Sequence, residues 1–205
     1  MKTFVFNMGY DYSHITTVLA KEGVEDKTVI YLLMPSEVDS RQENSVRQLR
    51  THLDSFTSDI ELNKVEMYSG FQKNLLAVDD LLDDLEDPIV SFSGGPRDHL
   101  VPMVLAASMK DSQIEEAYIR SDLDNAVNTL DIPNLGIKLE EDEKELINLV
   151  ESGEMNIDQI ASKLDVSQST ASREVNSLSN KGLLKIKIED KGKIVEPSLK
   201  ALISR

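Results

Sequence analysis

Between residues 156 and 197 the apolar period changes from helical to strand-like within one short stretch, and few folds accommodate that change. Asn156 stands before Ile157, Ile160, Ala161 and Leu164, which recur at helical spacing, and Gln159 suits a capping box with it. Asp165 and Val166 form a tight turn. Ser167 is a second N-cap, after which Thr170, Ala171, Val175 and Leu178 share one helix side until Gly182 stops the helix. Leu184, Ile186 and Ile188 then alternate with Lys185 and Lys187, and Asp190-Lys191-Gly192-Lys193 turns the chain into Ile194 and Val195. Helix, turn, helix and cationic hairpin, in that order, predict a winged helix-turn-helix.

Two helices of an unrelated bundle would explain the apolar spacing equally well. They would not explain why the second helix opens on short hydrogen-bonding groups, Ser167, Gln168, Ser169, Thr170 and Ser172, followed by Arg173. That set suits base edges and phosphates of double-stranded DNA. Gln168, Ser169 and Thr170 are expected at base edges, and Arg173, Lys191 and Lys193 at phosphates. Lys185 and Lys187 extend the cationic hairpin. Many such motifs carry Gly in the turn, whereas this chain has Asp165 near that point.

A net charge of -15 looks wrong for a DNA binder until it is divided. Residues 1–136 hold 11 Lys and Arg against 24 Asp and Glu, whereas residues 155–205 hold 9 against 6. The field around the reading head is therefore positive while the rest of the chain repels polyanions. Glu140-Glu141-Asp142-Glu143 opens a helix, where acidic side chains complement the dipole. With no Cys, the chain can have no disulfide, thiol nucleophile or Cys-based zinc site. No stretch approaches the roughly 18 apolar residues of a membrane span. A cytoplasmic protein with no membrane partner is expected.

Residues 1–120 alternate strand and helix patterns. Strands are expected at KTFVFNM, KTVIYLLM, IELNKVEMY, DPIVSFSGG and IEEAYIR, and helices over 10–22, 37–56, 72–85 and 97–109. Such alternation predicts an α/β Rossmann-like parallel-sheet sandwich with right-handed crossovers. Ligands in such sheets bind beyond the carboxyl ends of the strands. Asn7-Met8-Gly9-Tyr10-Asp11 follows the first strand, and Ser91-Phe92-Ser93-Gly94-Gly95-Pro96-Arg97-Asp98 follows the fourth. Paired glycines let a bound anion approach backbone N–H groups, and the following helix N-terminus favours negative charge. A tight strand-to-helix turn with no ligand would need the same glycines. Arg97 is placed to meet a phosphate and Tyr10 to stack on a base.

Neither G-x-G-x-x-G nor G-x-x-x-x-G-K-[ST] occurs, which argues against an NAD enzyme or a P-loop ATPase. Asp79, Asp83 and Asp87 recur on one helix face with no His nearby in sequence, and a solvated face is expected there rather than a metal site. His14 and His99 lie near the two loops, and His52 is expected on the surface. No catalytic, metal or resident-cofactor residues are assigned.

A sheet with Gly9 and Ser93-Gly94-Gly95 loops, then a winged helix, resembles the CARF-domain (CRISPR-associated Rossmann fold) transcriptional regulators of archaeal CRISPR systems. SFSGGPRDHLVPMVLAA carries the resemblance most specifically, although Pro96 stands where family members often have Thr. The resemblance implies a homodimer of antiviral defence that regulates CRISPR-related promoters and holds a cyclic oligoadenylate, expected to be cyclic tetra-adenylate. It implies a pocket formed by Met8, Gly9, Tyr10 and Asp11 with Ser93, Gly94, Gly95, Pro96, Arg97, Asp98 and His99. A ring nuclease that cleaves the same ligand is the alternative. The expected organisation is a sensor and dimerisation domain over 1–120, a linker over 121–136 and a DNA-binding domain over 137–205. Leu123, Val127 and Leu130 suggest a short connecting helix within that linker, either a passive tether or a dimerising connector.

Overall fold

A computed structural model describes the chain except residues 26, 56–58, 111–112, 134, 137–138, 154, 190–191 and 204–205. It divides into two compact units, Met1–Leu135 and Gly136–Arg205.

The first unit runs β1 (Thr3–Asn7), α1 (Ser13–Glu22), β2 (Thr28–Pro35), α2 (Ser40–Leu53), β3 (Ile60–Met67), α3 (Phe71–Asp83), β4 (Ile89–Ser91), α4 (Arg97–Met109), β5 (Glu116–Arg120) and β6 (Val127–Thr129). The sheet order is β3-β2-β1-β4-β5-β6. The first five strands are parallel, as the strand–helix alternation requires, and β6 returns antiparallel to β5. β1 is buried along its whole length, which is why it reads as an uninterrupted apolar run. Phe4, Phe6 and Met8 share one face of the sheet and pack with Ile15, Val18 and Leu19 of α1 and Leu49 and Leu53 of α2. Val5 and Val90 alternate to the opposite face, while α3 and α4 pack against each other and bury Leu75, Val78, Leu82, Met103 and Ala106.

Two expectations fail in this unit. The connecting helix over Asp122–Leu130 does not form, because residues 121–129 make a hairpin that completes the sheet. Ser121 Oγ accepts from the Leu123 N–H, Asp124 Oδ1 accepts from the Ala126 N–H, and Asn125 adopts φ 59°. Ser, Asp and Asn side chains compete with helical bonding in this way. The first unit therefore runs through Leu135, and the segment read as a linker lies largely inside it. Asp79 is not on a solvated face either. It is fully buried, with Lys110 Nζ 3.5 Å from its Oδ1 and also paired with Asp83. Burial pushes the Asp79 carboxyl up to about 6 against the opposing pull of Lys110. Asp87 lies beyond the end of α3. His52 is exposed, as expected.

The second unit runs α5 (Glu141–Glu151), β7 (Met155–Asn156), α6 (Ile157–Lys163), α7 (Gln168–Asn180), β8 (Leu184–Glu189), β9 (Gly192–Pro197) and α8 (Leu199–Leu202), with a small antiparallel sheet in the order β7-β9-β8. Its separate core gathers Leu146, Ile147 and Val150 of α5 with Ile160, Val175, Leu178, Leu184 and Val195. The capping box reads as expected: Asn156 Oδ1 accepts from the Gln159 N–H, and Gln159 Oε1 accepts from the Asn156 N–H, both at 2.9 Å. Asp165 adopts φ 53° in the turn, the left-handed conformation that Gly more often supplies and that Asp tolerates. Among the described residues, no helix is long and apolar enough to cross a membrane.

Candidate functional site

β1 is flanked by β2 on one side and β4 on the other, so the winding of the sheet reverses between β1 and β4. In an open α/β sheet the crevice beyond that reversal is the expected ligand site. A cleft of about 500 Å³ lies there, lined by Gly9, Tyr10, Asp11 and His14 from one side and by Ser93, Gly94, Gly95 and Arg97 from the other. Ile119, Arg120 and Asp122 close it along the end of β5.

The two loops interlock, and the glycines make that possible. Asn7 Nδ2 donates to the Gly94 carbonyl at 2.7 Å and lies 3.4 Å from that of Pro96. Gly95 adopts φ 65°, and a Cβ there would stand 2.2 Å from Asn7 Oδ1. Gly94 adopts φ 72°, and a Cβ there would meet His14 Cε1 at 2.6 Å. A Cβ on Gly9 would lie 2.6 Å from the Gly95 nitrogen. The sequence pointed to close approach by a ligand, but the chain's own Asn7 and His14 occupy that space. Asn7 holds the two loops together, a role the sequence reading did not give it although it named Asn7 at the start of the first loop. Its signal is a polar residue closing an apolar strand just before Gly9.

Arg120 was also missed, because nothing in its local sequence marks it. Its guanidinium donates to Asp11 Oδ2 at 2.8 Å, Ser13 Oγ at 2.7 Å and Asn125 Oδ1 at 2.5 Å. Its backbone N–H donates to Ser93 Oγ at 2.7 Å, so Arg120 ties together both cleft loops and the β5–β6 hairpin. Burial pushes the Asp11 carboxyl up, but hydrogen bonds from Arg120 and Ser13 outweigh it and hold the group at about 2. Tyr10 donates to Asp39 Oδ2 at 2.9 Å, and the Arg41 guanidinium lies 4.5 Å from its ring centroid. The stacking expected of Tyr10 is thus already met on one ring face by Arg41.

Four of the residues expected in the pocket do not line the cleft. Met8 continues the alternation of Phe4 and Phe6, so its side chain is buried in the core. His99 falls on the buried side of α4 with Pro102, Met103 and Ala106, at helical spacing. Its burial holds the imidazole below its usual pKa. Pro96 is the N-cap of α4, and the Asp98 carbonyl accepts from Asn74 Nδ2 on α3. His14 is buried at the cleft wall, edge-on to Phe6, and desolvation pulls its pKa down to about 4. It is a neutral imidazole whose Nε2 has no hydrogen-bond partner among the described residues. The N-cap residue Pro96 makes no side-chain capping hydrogen bond among the described residues, and α4 begins at the cleft residue Arg97. Among the described residues no group of three or more His, Asp or Glu is placed to hold a metal ion.

The second candidate surface lies on the other unit. Ser167 accepts from the Thr170 N–H at 3.1 Å and starts α7, while Ala171, Val175 and Leu178 bury its inner side. Gln168, Ser169 and Arg173 are exposed on the outer side, with Thr170 and Ser172 half-buried. The hydroxyls of Ser169 and Thr170 lie 2.8 Å from Ser167 Oγ, so the cap already engages both of them. Lys185, Lys187 and Lys193 are exposed on the hairpin, although Lys187 pairs with Glu196. Lys191 lies outside the described residues.

Residues 2–131 match the family model described as the Csa3 CRISPR-associated Rossmann-like domain. The chain belongs to the Csa3 family. Residues 134–198 match the model of the sugar-specific transcriptional regulator TrmB, so the Csa3-type domain is followed by a region of regulator type. No curated protein matches the sequence. Similar solved structures include Can2 from Sulfobacillus thermosulfidooxidans in complex with cyclic tetra-adenylate, at 10% identity and TM-score 0.44 over 100% of this chain. Protein VC1899 from Vibrio cholerae is similar at 14% and 0.49 over 99% of the chain. Enterococcus italicus Csm6, bound to cyclic hexa-2'-fluoro-hexa-dAMP, is similar at 10% and 0.47 over 87%. The chain covers 64%, 64% and 49% of those three proteins, respectively.

Proposed function

We propose that this Csa3-family chain is a CRISPR-associated transcriptional regulator that binds a cyclic oligoadenylate in the cleft between β1 and β4 and double-stranded DNA through α7 and the β8–β9 hairpin. One observation carries the reading: a cleft at the winding reversal of the sheet, holding Arg97, Arg120 and the start of α4, shares a chain with a winged helix. Arg97 and Arg120 would meet phosphates, and the free face of Tyr10 an adenine. Gln168 and Ser169 would read base edges, while Arg173, Lys185 and Lys193 hold the DNA backbone.

A homodimer fits the cleft's surroundings. Tyr10, Val101, Ile119 and Leu123 are exposed apolar side chains on or beside the cleft loops, and a second copy would cover them. Ligand bound across two copies would bias the arrangement of two reading heads and so the affinity for paired half-sites. Residues 1–135 would then be the sensing part and 136–205 the reading part.

Cleavage of the ligand is the second reading, favoured by the unsatisfied Nε2 of His14 at the cleft wall. A neutral imidazole at that place can equally accept a hydrogen bond from a bound ligand. Calorimetric titration with cyclic tetra-adenylate, followed by chromatography of the mixture, separates the readings. Bound and intact ligand supports the sensor, and linear product at multiple turnovers supports the nuclease. No heat and no thermal shift at high ligand excess would remove both.

A further inference from the structure

A second groove of about 450 Å³ lies between α2 and the edge strand β3. Its floor is aliphatic: Leu32 and Met34 of β2, Val46 of α2 and Leu62 of β3. Glu43, Val46, Arg47 and Arg50 recur at helical spacing, so one side of α2 looks into the groove. Leu62 and Lys64 recur at strand spacing and line it from β3. Arg47 and Arg50 are exposed, and neither makes an ion pair among the described residues. Lys64 has only a long contact, 3.7 Å, with Glu66.

This concentration of cations is unusual for its surroundings. Residues 1–136 hold more than twice as many acids as bases, yet three bases border this groove against the single acid Glu43. β3 pairs with β2 over all eight of its residues and, among the described residues, has no strand on its outer edge. An unpaired edge presents a row of backbone donors and acceptors that can template a further strand.

We propose that the α2–β3 groove docks an extended protein segment in which every second residue is acidic and aliphatic by turns, so that both kinds lie on one face, added as a strand to the free edge of β3. In a strand so placed, side chains facing α2 would rest on Leu62 and Val46 or meet Arg47, Arg50 and Lys64. Nucleic acid fits the groove less well. The floor offers aliphatic side chains and no aromatic face for stacking, and the acidic domain repels an extended polyanion. A strand that presents carboxylates and aliphatic side chains in turn on its groove-facing side fits both features. The proposal does not depend on what occupies the β1–β4 cleft.

The test uses the full chain and a fluorescein-labelled peptide Glu-Thr-Val-Thr-Glu-Thr-Val-Thr (Glu–Val), which carries Glu and Val in turn on one strand face, with the same peptide bearing Lys for Glu (Lys–Val) as control. The Glu–Val peptide should bind at least tenfold more tightly than the control by anisotropy. The Arg47→Glu/Arg50→Glu double variant should reverse that preference while keeping the parent melting temperature. Arg47→Ala/Arg50→Ala should weaken Glu–Val binding without favouring the control. Amide exchange over residues 60–67 should slow when peptide is bound. Equal affinity for both peptides, or unchanged exchange over 60–67, would overturn the proposal. So would a change of sedimentation coefficient in the double variant, which would make the occupant a second copy, or displacement of the peptide by a single-stranded oligonucleotide.

Discussion

Asn74 repairs the hydrogen-bond gap that Pro102 leaves in α4. A residue at position 102 would normally donate its N–H to the Asp98 carbonyl, and proline has none. Asn74 Nδ2 donates to that carbonyl instead, at 3.1 Å, while its Oδ1 accepts from the Tyr68 N–H at 2.8 Å. A fully buried amide on α3 thereby fixes the first turn of α4, on which Arg97 is carried to the cleft.

Asn74→Ala should destabilise the first unit by about 1–2 kcal/mol, because the part-buried hydrogen bonds to the Asp98 carbonyl and from the Tyr68 N–H are both lost. Part of that loss should be recovered in the Asn74→Ala/Pro102→Ala double variant, since an alanine in place of the proline restores a backbone N–H for the Asp98 carbonyl. Urea unfolding of the four proteins measures the coupling; strictly additive effects would mean that Asn74 does not serve the proline gap.

The loop interlock gives a sharper expectation for the cleft. Gly95→Ala should abolish binding of cyclic tetra-adenylate, because its Cβ would stand on the Asn7 amide at a φ that alanine disfavours. Since the damage is confined to a surface turn, circular dichroism should stay that of the parent. Ligand affinity within twofold of the parent would show that the interlock does not shape the site.

Asp11 and Arg120 oppose each other in their effect on an anion. Asp11→Asn removes a carboxylate from the cleft and loosens the hold on Arg120, so it should raise affinity for the cyclic ligand several-fold. Arg120→Ala should lower it tenfold or more. Calorimetric titration of both variants decides the matter, and weaker binding by Asp11→Asn would mean that the carboxylate itself touches the ligand.

His14 predicts a dependence of stability on acid. Its folded pKa of about 4 lies below an ordinary histidine's, so between roughly pH 6.5 and 4 the unfolded chain binds more protons and stability falls as pH falls. Below about 4 the folded form protonates too, and this loss levels off. Asp79, with its raised pKa, acts in the opposite sense but is common to parent and variant. His14→Gln should therefore flatten the stability profile between pH 6.5 and 4 by up to one proton. Parallel profiles from urea titrations at each pH would show that His14 is not held neutral.

On the reading head, Lys185→Ala/Lys193→Ala should reduce the slope of log affinity against log salt by about two units and weaken all DNA sequences alike. Gln168→Ala should leave the slope unchanged and alter preference among operators by roughly 1–3 kcal/mol if the contact is bidentate. Gel-shift titrations at several salt concentrations distinguish the two behaviours, and an unchanged slope in the double variant would take the hairpin off the DNA.

Local order determined much of this protein. The capping box of Asn156 and Gln159, the Ser167 cap and the switch to strand period after Gly182 each act over a few residues, so the winged helix could be read directly. The strand–helix alternation of residues 1–120 likewise required parallel pairing with crossovers. Both cleft loops were visible from their glycines and their place after apolar strands. What the sequence could not supply was which atoms meet across the sheet. Met8 and His99 lie beside the right loops, yet strand and helix periodicity turn them into the core. Asn7 and Arg120 tie the cleft loops together only because β1, β4 and β5 lie side by side, bringing together residues 87 and 109 positions apart. Asp79 shows the same limit, since its surface-like pattern is overridden by Lys110 from the end of α4. Helical and strand periods are short-range and legible in one dimension, whereas partners of buried polar groups are chosen by long-range packing and appear only once the layers are assembled.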